Sequence, residues 1–298
     1  PAAAVQYSLA RHRDTQPLAK VNLIAVQHLL ADNVDMLSAL SELGLKKSRT
    51  HILGIPYSTV ETDAQKLRNA GLDTSSETHR QVPYDLAREL EVCTLIRRGL
   101  VDHQKNGLPI VAMDDGGVIT RMLHLYFPEQ AHKFVIVEQT TRGLREAEQL
   151  SLRCPVINVA RCESKKTELS GVERSLRATL KRRLAPFQMK PASDDSTPSE
   201  AKAVVVGFGW IGQIVAQCLA GMGAQVYVSD PDLAAQKLAE SLGYRLCTDL
   251  EAMLPEARFL AGCTGQHSVP PEQLKKCKQT VAFSVSSANH EFDLDCDT

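Results

Sequence analysis

Six residues constrain this chain more than any others: Gly207-Phe208-Gly209-Trp210-Ile211-Gly212. They follow the apolar run Ala203-Val204-Val205-Val206 and open a segment of helical periodicity, about 211–222. A second apolar run begins at Gln225 and ends on Asp230, 18 residues after Gly212. Strand, glycine turn and helix in that order leave a helix N-terminus whose backbone N–H groups face an anion. Gly207 permits the tight turn, Gly209 lets the backbone approach a pyrophosphate, and Gly212 lets the helix pack closely on the strand. Asp230 then accepts hydrogen bonds from adenosine ribose hydroxyls and repels a 2′-phosphate. No Arg follows it directly, so the pattern points to NAD rather than NADP. Two plainer accounts remain: a glycine turn that binds nothing, and an Asp230 that only caps the helix starting near 232.

The rest of the chain alternates in the same manner. Strands are expected at 51–56, 108–113, 134–137, 156–159, 203–206, 225–230, 258–261 and 280–284. Helices are expected at 21–43, 84–99, 211–222 and 232–242, with two more after Gly117 and Thr141. Apolar strands alternating with helices imply parallel sheets covered on both faces. The fold class is therefore α/β, two doubly wound parallel-sheet domains, the second a Rossmann NAD-binding domain. The stretch 189–200, rich in Pro, Ser and Asp, reads as a linker between a substrate domain, 1–188, and the Rossmann domain, 201–298. Ligands bind at the carboxyl ends of such strands. Two polar segments stand there, Asp114-Asp115-Gly116-Gly117 and Glu138-Gln139-Thr140-Thr141.

Composition narrows the partners. A net charge of −1 argues against a binder of phosphate backbones, whose surfaces are basic. The one basic cluster, Lys181-Arg182-Arg183, sits where a helix end favours cations. Eight cysteines without a CxxC pair fit no zinc pattern, so no metal is expected and the thiols read as reduced. The first residues do not read as a signal peptide, and no apolar run approaches a membrane span. The expectation is a cytoplasmic enzyme acting on a small molecule, away from nucleic acid and membranes.

At Met113–Gly117, Glu138–Gly143, Val156–Val159, Val206–Gly212, Cys263-Thr264-Gly265 and Asn289-His290 the chain resembles the S-adenosylhomocysteine hydrolase (adenosylhomocysteinase) family, over nearly its whole length. The resemblance implies a reaction in which the 3′-hydroxyl of a nucleoside is oxidised by tightly held NAD. The 4′ proton then becomes acidic, the 5′ substituent leaves, water adds and the ketone is reduced again. It also implies a homo-oligomer, a dimer or tetramer. The family continues well past Asn289-His290, so the second domain is expected to be short beside the family's.

Residue by residue, His28 matches the family's active-site histidine, an acid–base group near the 5′ leaving group; otherwise it is a histidine on a helix face. Asp115 matches an acid–base group beside the 4′ and 5′ carbons; otherwise it caps the helix after Gly117. Lys165 matches the lysine acting at the 3′-hydroxyl, with Lys166 as its rival, and the other possibility is an exposed lysine at a helix start. Asp32 stands where the family reads the adenine amino group. Thr140 and Thr141 match threonines reaching the nicotinamide end. Trp210, Ile211, Cys263, Thr264, Gly265 and His290 join the three glycines and Asp230 in the cofactor set.

The departures cluster at the sugar. Gln139 replaces a ribose-gripping Glu and offers one acceptor and a donor in place of a carboxylate. Leu30 replaces a substrate-contacting Thr, and Val60 a Gln at the edge of the base pocket. The family's catalytic Asp and Asn after the lysine have no clear counterpart; Thr167 and Glu168, or Leu169 and Ser170, fall there. Three functions follow: a divergent adenosylhomocysteinase-like enzyme, a simple NAD-dependent dehydrogenase, and a catalytically impaired NAD-binding regulatory relative.

Overall fold

The computed structural model describes residues 3–55, 58–75, 84–163, 165–187, 201–285 and 291–292. They fall into two compact units, Pro1–Lys165 and Lys166–Thr298. Each unit is built on one parallel sheet with helical crossovers, as the alternation of apolar strands and helices implies.

The first unit carries six strands: β1 (Asn22–Gln27), β2 (Thr50–Gly54), β3 (Asp73–Ser75), β4 (Ile110–Asp114), β5 (Phe134–Glu138) and β6 (Val156–Asn158). Their order is β3-β2-β1-β4-β5-β6, parallel throughout. The helices are α1 (Ala3–His12), α2 (Ala31–Glu42), α3 (Glu61–Asn69), α4 (Tyr84–Asn106), α5 (Val118–Tyr126) and α6 (Thr141–Glu148). The pleat of β1 splits its side chains between two cores. Ile24 and Val26 join Val92 and Ile96 of α4 and Ile119 and Met122 of α5. Ala25 packs with Val34 and Leu37 of α2 and Ala64 and Leu67 of α3.

The helix expected over 21–43 is instead a strand followed by a shorter helix. All six residues of β1 are buried, so no period of two shows in Asn22–Gln27, and no glycine or proline separates it from α2. His28 therefore stands on the loop leaving the central strand, not on a helix face.

The second unit carries β7 (Lys202–Val206), β8 (Gln225–Ser229), β9 (Arg245–Leu246), β10 (Ala257–Gly262) and β11 (Val281–Ser284) in the order β11-β10-β7-β8-β9. Its helices are α7 (Lys165–Leu184), α8 (Trp210–Gly221), α9 (Leu233–Ser241) and two single turns, α10 (Leu250–Met253) and α11 (Pro271–Leu274). Leu180 and Leu184 of α7 share a core with Ala203, Val205, Val215 and Leu219. The second unit opens at Lys166, in the first turn of α7. The expected linker itself lies outside the described residues. Among the described residues no helix is long and apolar enough to cross a membrane.

Two candidate crevices and the residues that shape them

In each sheet the chain lays strands to one side of its first strand and then returns to the other. The point of reversal opens a crevice at the strands' carboxyl ends. In the first unit it lies between β1 and β4, and in the second between β7 and β10.

At the first crevice His28 leaves β1 and Asp115 leaves β4. His28 Nε2 stands 3.7 Å from Asp115 Oδ2, and both side chains are largely shielded. His28 Nδ1 hydrogen-bonds the Ser58 hydroxyl, and Ser58 Oγ donates to the Ile55 carbonyl at 3.3 Å. Ser58 thus fixes the ring through Nδ1 and turns Nε2 toward Asp115. The Asn33 amide holds the His28 carbonyl at 2.9 Å.

Asp114 caps α5. The buried Asp114 carboxyl accepts from Ile119 N at 3.0 Å, Thr120 N at 2.8 Å and the Thr120 hydroxyl at 2.8 Å. Asp115, the next residue along the chain, faces His28.

Glu138, also fully buried, ties the turn after β4 to the turn after β5. Its carboxyl accepts from Gly116 N, Gly117 N, Thr140 N and the Thr140 hydroxyl, at 3.3, 3.0, 2.7 and 2.7 Å. Gly117 has φ +72, and a Cβ at Gly143 would come within 2.2 Å of the Glu138 carboxyl group. Both positions are therefore closed to larger residues. Thr140 Oγ1 also accepts from Gly143 N at 2.9 Å and Gly116 N at 3.1 Å. Its one proton and both lone pairs are spent inside the unit, so Thr140 serves the turn rather than a ligand.

Burial pushes the Asp114 carboxyl up, with a smaller contribution from the charge of Asp115. Burial raises Glu138 to about 7, Asp114 adding to the rise while the bonds from Thr140 and Gly117 oppose it.

The remaining expected substrate residues are dispersed. Asp32 is exposed in the first turn of α2, and Thr141 is exposed at the start of α6. Gln139 is half-buried, its amide 3.4 Å from the Asp114 carbonyl. Leu30 and Val60 are the N-cap residues of α2 and α3, 43% and 42% exposed, and neither caps its helix through a side chain. Lys165 and Lys166 begin α7, at the division between the units.

At the second crevice the glycine loop has the shape its sequence implies. Gly207 has φ +90. A Cβ at Gly212 would stand 2.0 Å from the Gly207 carbonyl, whereas one at Gly209 would meet nothing within 4 Å. The first is a packing requirement. The second demands glycine only if something else comes close to that backbone. Gly209 is the N-cap of α8 and supplies no side-chain cap, so the first-turn N–H groups, from Trp210 through Gly212, open the helix toward that space. Gln213 N makes the first helical bond, to the Gly209 carbonyl at 3.0 Å. This cradle fits a pyrophosphate.

Asp230, at the end of β8, accepts from Phe208 N at 2.6 Å and Asp232 N at 2.9 Å. Asp232, not Asp230, caps α9, through Ala234 N at 2.9 Å. Asp230 is thus held beside the glycine loop with lone pairs left for ribose hydroxyls. Cys263, Thr264 and Gly265 follow β10 on the other side of the crevice, and Ile211 is half-buried in α8. His290 lies outside the described residues. Its neighbour Glu291 belongs to none of the motifs read from the sequence, yet it is fully buried beside Thr264 and Gly265.

Residues 168–284 match the family model for the D-isomer specific 2-hydroxyacid dehydrogenase, NAD binding domain. With the glycine cradle, this makes the second unit an NAD-binding domain of the dehydrogenase superfamily, and NAD its cofactor. The chain is also similar to the adenosylhomocysteinase of Acinetobacter baylyi, 26% identical over 249 residues, 79% of this chain and 48% of that protein. It thus spans about half the length of the curated relative it matches. Among solved structures it is similar to phosphoglycerate oxidoreductase from Vibrio cholerae, at 13% identity, 91% and 77% coverage and a TM-score of 0.46. D-lactate dehydrogenase from Escherichia coli gives 17%, 90% and 75%, and 0.39. At that level of likeness nothing about activity passes from them to this chain.

Three outcomes are expected. Gly143→Ala should cost the first unit about 1–3 kcal/mol by overpacking against Glu138. The chain's single tryptophan, Trp210, lies in the second unit. Urea unfolding should therefore shift by far-ultraviolet circular dichroism while tryptophan fluorescence holds.

Glu138 is raised in the fold, so the folded unit binds the extra proton between its ordinary value and about 7. Stability from this group is full below the unfolded value and is lost as pH rises through about 7. Thermal melts of the first unit should fall across that window in the wild type and flatten in Glu138→Gln.

Asp230→Ala should weaken NAD at least about tenfold in calorimetry, about 1.4 kcal/mol. Unchanged affinity would mean that the ribose is held elsewhere.

Proposed function

We propose that this chain is an adenosylhomocysteinase-like enzyme acting on an adenosine-type nucleoside, S-adenosylhomocysteine or a related compound, with elimination and hydration at the 5′ side. The observation that carries the reading is the His28–Asp115 pair at the point where the first sheet reverses, made possible because Asp114 takes over the capping of α5. NAD, when bound, supplies reversible oxidation at the 3′ carbon.

The chain's own residues do the rest. His28 Nε2, its ring oriented through Nδ1 by Ser58, takes or gives a proton at the 5′ side. Asp115, 3.7 Å away, stabilises the protonated imidazole and works on the 4′ proton. A lysine at 165 or 166 is the base for the 3′-hydroxyl. Gln139 in place of a carboxylate changes the grip on the ribose and points to a substrate that differs from the family's at the sugar. The 26% identity to the Acinetobacter baylyi protein supports the same reading.

One other reading has an observation of its own. The family model matched by the second unit is named for dehydrogenases, which would release reduced cofactor. Steady accumulation of NADH during turnover selects that reading; turnover without it selects ours.

His28→Ala and Asp115→Asn should each abolish turnover of the nucleoside while the purified protein keeps its NAD, measured by product chromatography and by mass spectrometry of the denatured protein. Full activity in either variant would remove that residue from the mechanism.

A further inference from the structure

Glu291 is fully buried, and among the described residues no lysine, arginine or histidine pairs with it. A buried carboxyl group is costly unless its oxygens are hydrogen-bonded. Both are. Oε2 accepts from the Thr264 hydroxyl at 2.7 Å and Oε1 from Gly265 N at 2.6 Å. The backbone of the same residue grips the far end of the loop. Its carbonyl accepts from Ser268 N and Ser268 Oγ, both at 3.0 Å, and from Val269 N at 3.4 Å. Phe292 then bridges to Val269. Gly262, the last residue of β10, makes room, since a Cβ there would come within 2.5 Å of Glu291 Cβ. Residue 291 thus fastens loop 263–269 at both ends.

That loop borders the crevice of the second unit. It leaves β10 beside β7, and a Cβ at Gly207 would stand 2.9 Å from the Cys263 carbonyl. The N-terminus of α8 takes the pyrophosphate, and Asp230, just after β8, lies to the adenosine side. The other half of the dinucleotide must then run toward β10. We propose that Glu291 is a positioning residue that holds Cys263-Thr264-Gly265 in the shape that receives the nicotinamide half of NAD.

The test is calorimetry of the full chain with NAD and with ADP-ribose, which lacks the nicotinamide. Glu291→Met keeps volume against Gly262 and removes both acceptors; Glu291→Gln keeps one. The expected result is a selective loss: NAD weakened about tenfold in the first variant and about threefold in the second, with ADP-ribose within about twofold of wild type in both. A purely structural role would weaken both ligands together. A ratio of NAD to ADP-ribose affinity equal to the wild type's, in whichever variant folds, overturns the proposal. Titration of the wild type with ADP-ribose tests the adenosine side of the site separately.

Discussion

The first unit hangs on one carboxyl group. Glu138 gathers two backbone N–H groups from the turn after β4, and one N–H and one hydroxyl from the turn after β5. Those two turns form one side of the crevice in which His28 meets Asp115. Removing four donors from water and giving them one acceptor is stable only while that acceptor is present, because each orphaned donor would cost about 1–3 kcal/mol. The glycines of both segments follow from this arrangement. Gly116 and Gly117 take positive φ so that their N–H groups reach Glu138, and Gly143 leaves space for its carboxyl atoms. Much of what reads in sequence as an active-site signature is the framework that aims one residue, Asp115.

Both units reuse one plan. Each places its first strand in the middle, extends the sheet to one side and then crosses to the other. Each leaves chemistry-bearing groups at the carboxyl ends where the direction reverses. The groups differ because the demands differ. The second crevice needs uncapped N–H groups and open space over Gly209, so it is built from glycines. The first sets His28, Ser58 and Asp115 together on short loops, with Asp114 and Glu138 buried behind them.

What the sequence showed and what it hid divide along physical lines. The strand, glycine turn and helix around Gly207–Gly212 were legible because each glycine answers a local steric or ligand demand. The strands 110–114 and 134–138 were legible because they end in polar clusters. Strand β1 was not, because a central strand buried on both faces has no alternation to read. The competing roles of Asp114 and Asp115 were not separable either, since adjacent aspartates carry the same chemistry until the backbone turns them to opposite tasks. Glu291 left no signal at all. Its partners, Thr264 and Gly265, lie 27 and 26 residues earlier, and only the fold brings them together.

Leu30 and Val60 show how stability is traded at the loops after β1 and β2. Ser, Thr, Asp and Asn are the residues that cap helices, and leucine and valine at those positions forgo about 1 kcal/mol each. Yet the N-cap residues are Leu30 for α2 and Val60 for α3, with both side chains more than two-fifths exposed. The two loops are linked through Val60 N and the Leu29 carbonyl at 3.1 Å, so the two side chains flank one bond rather than lying on unrelated surfaces. Side-chain caps do occur in the chain, as with Thr140 on α6 and Asp232 on α9. Uncapped helix starts presenting apolar surface next to His28 are a poor solution for folding alone. They are a good one for covering a flat, weakly polar ring, and a nucleobase has that character. That is the surface the proposed nucleoside reading asks for at these two positions.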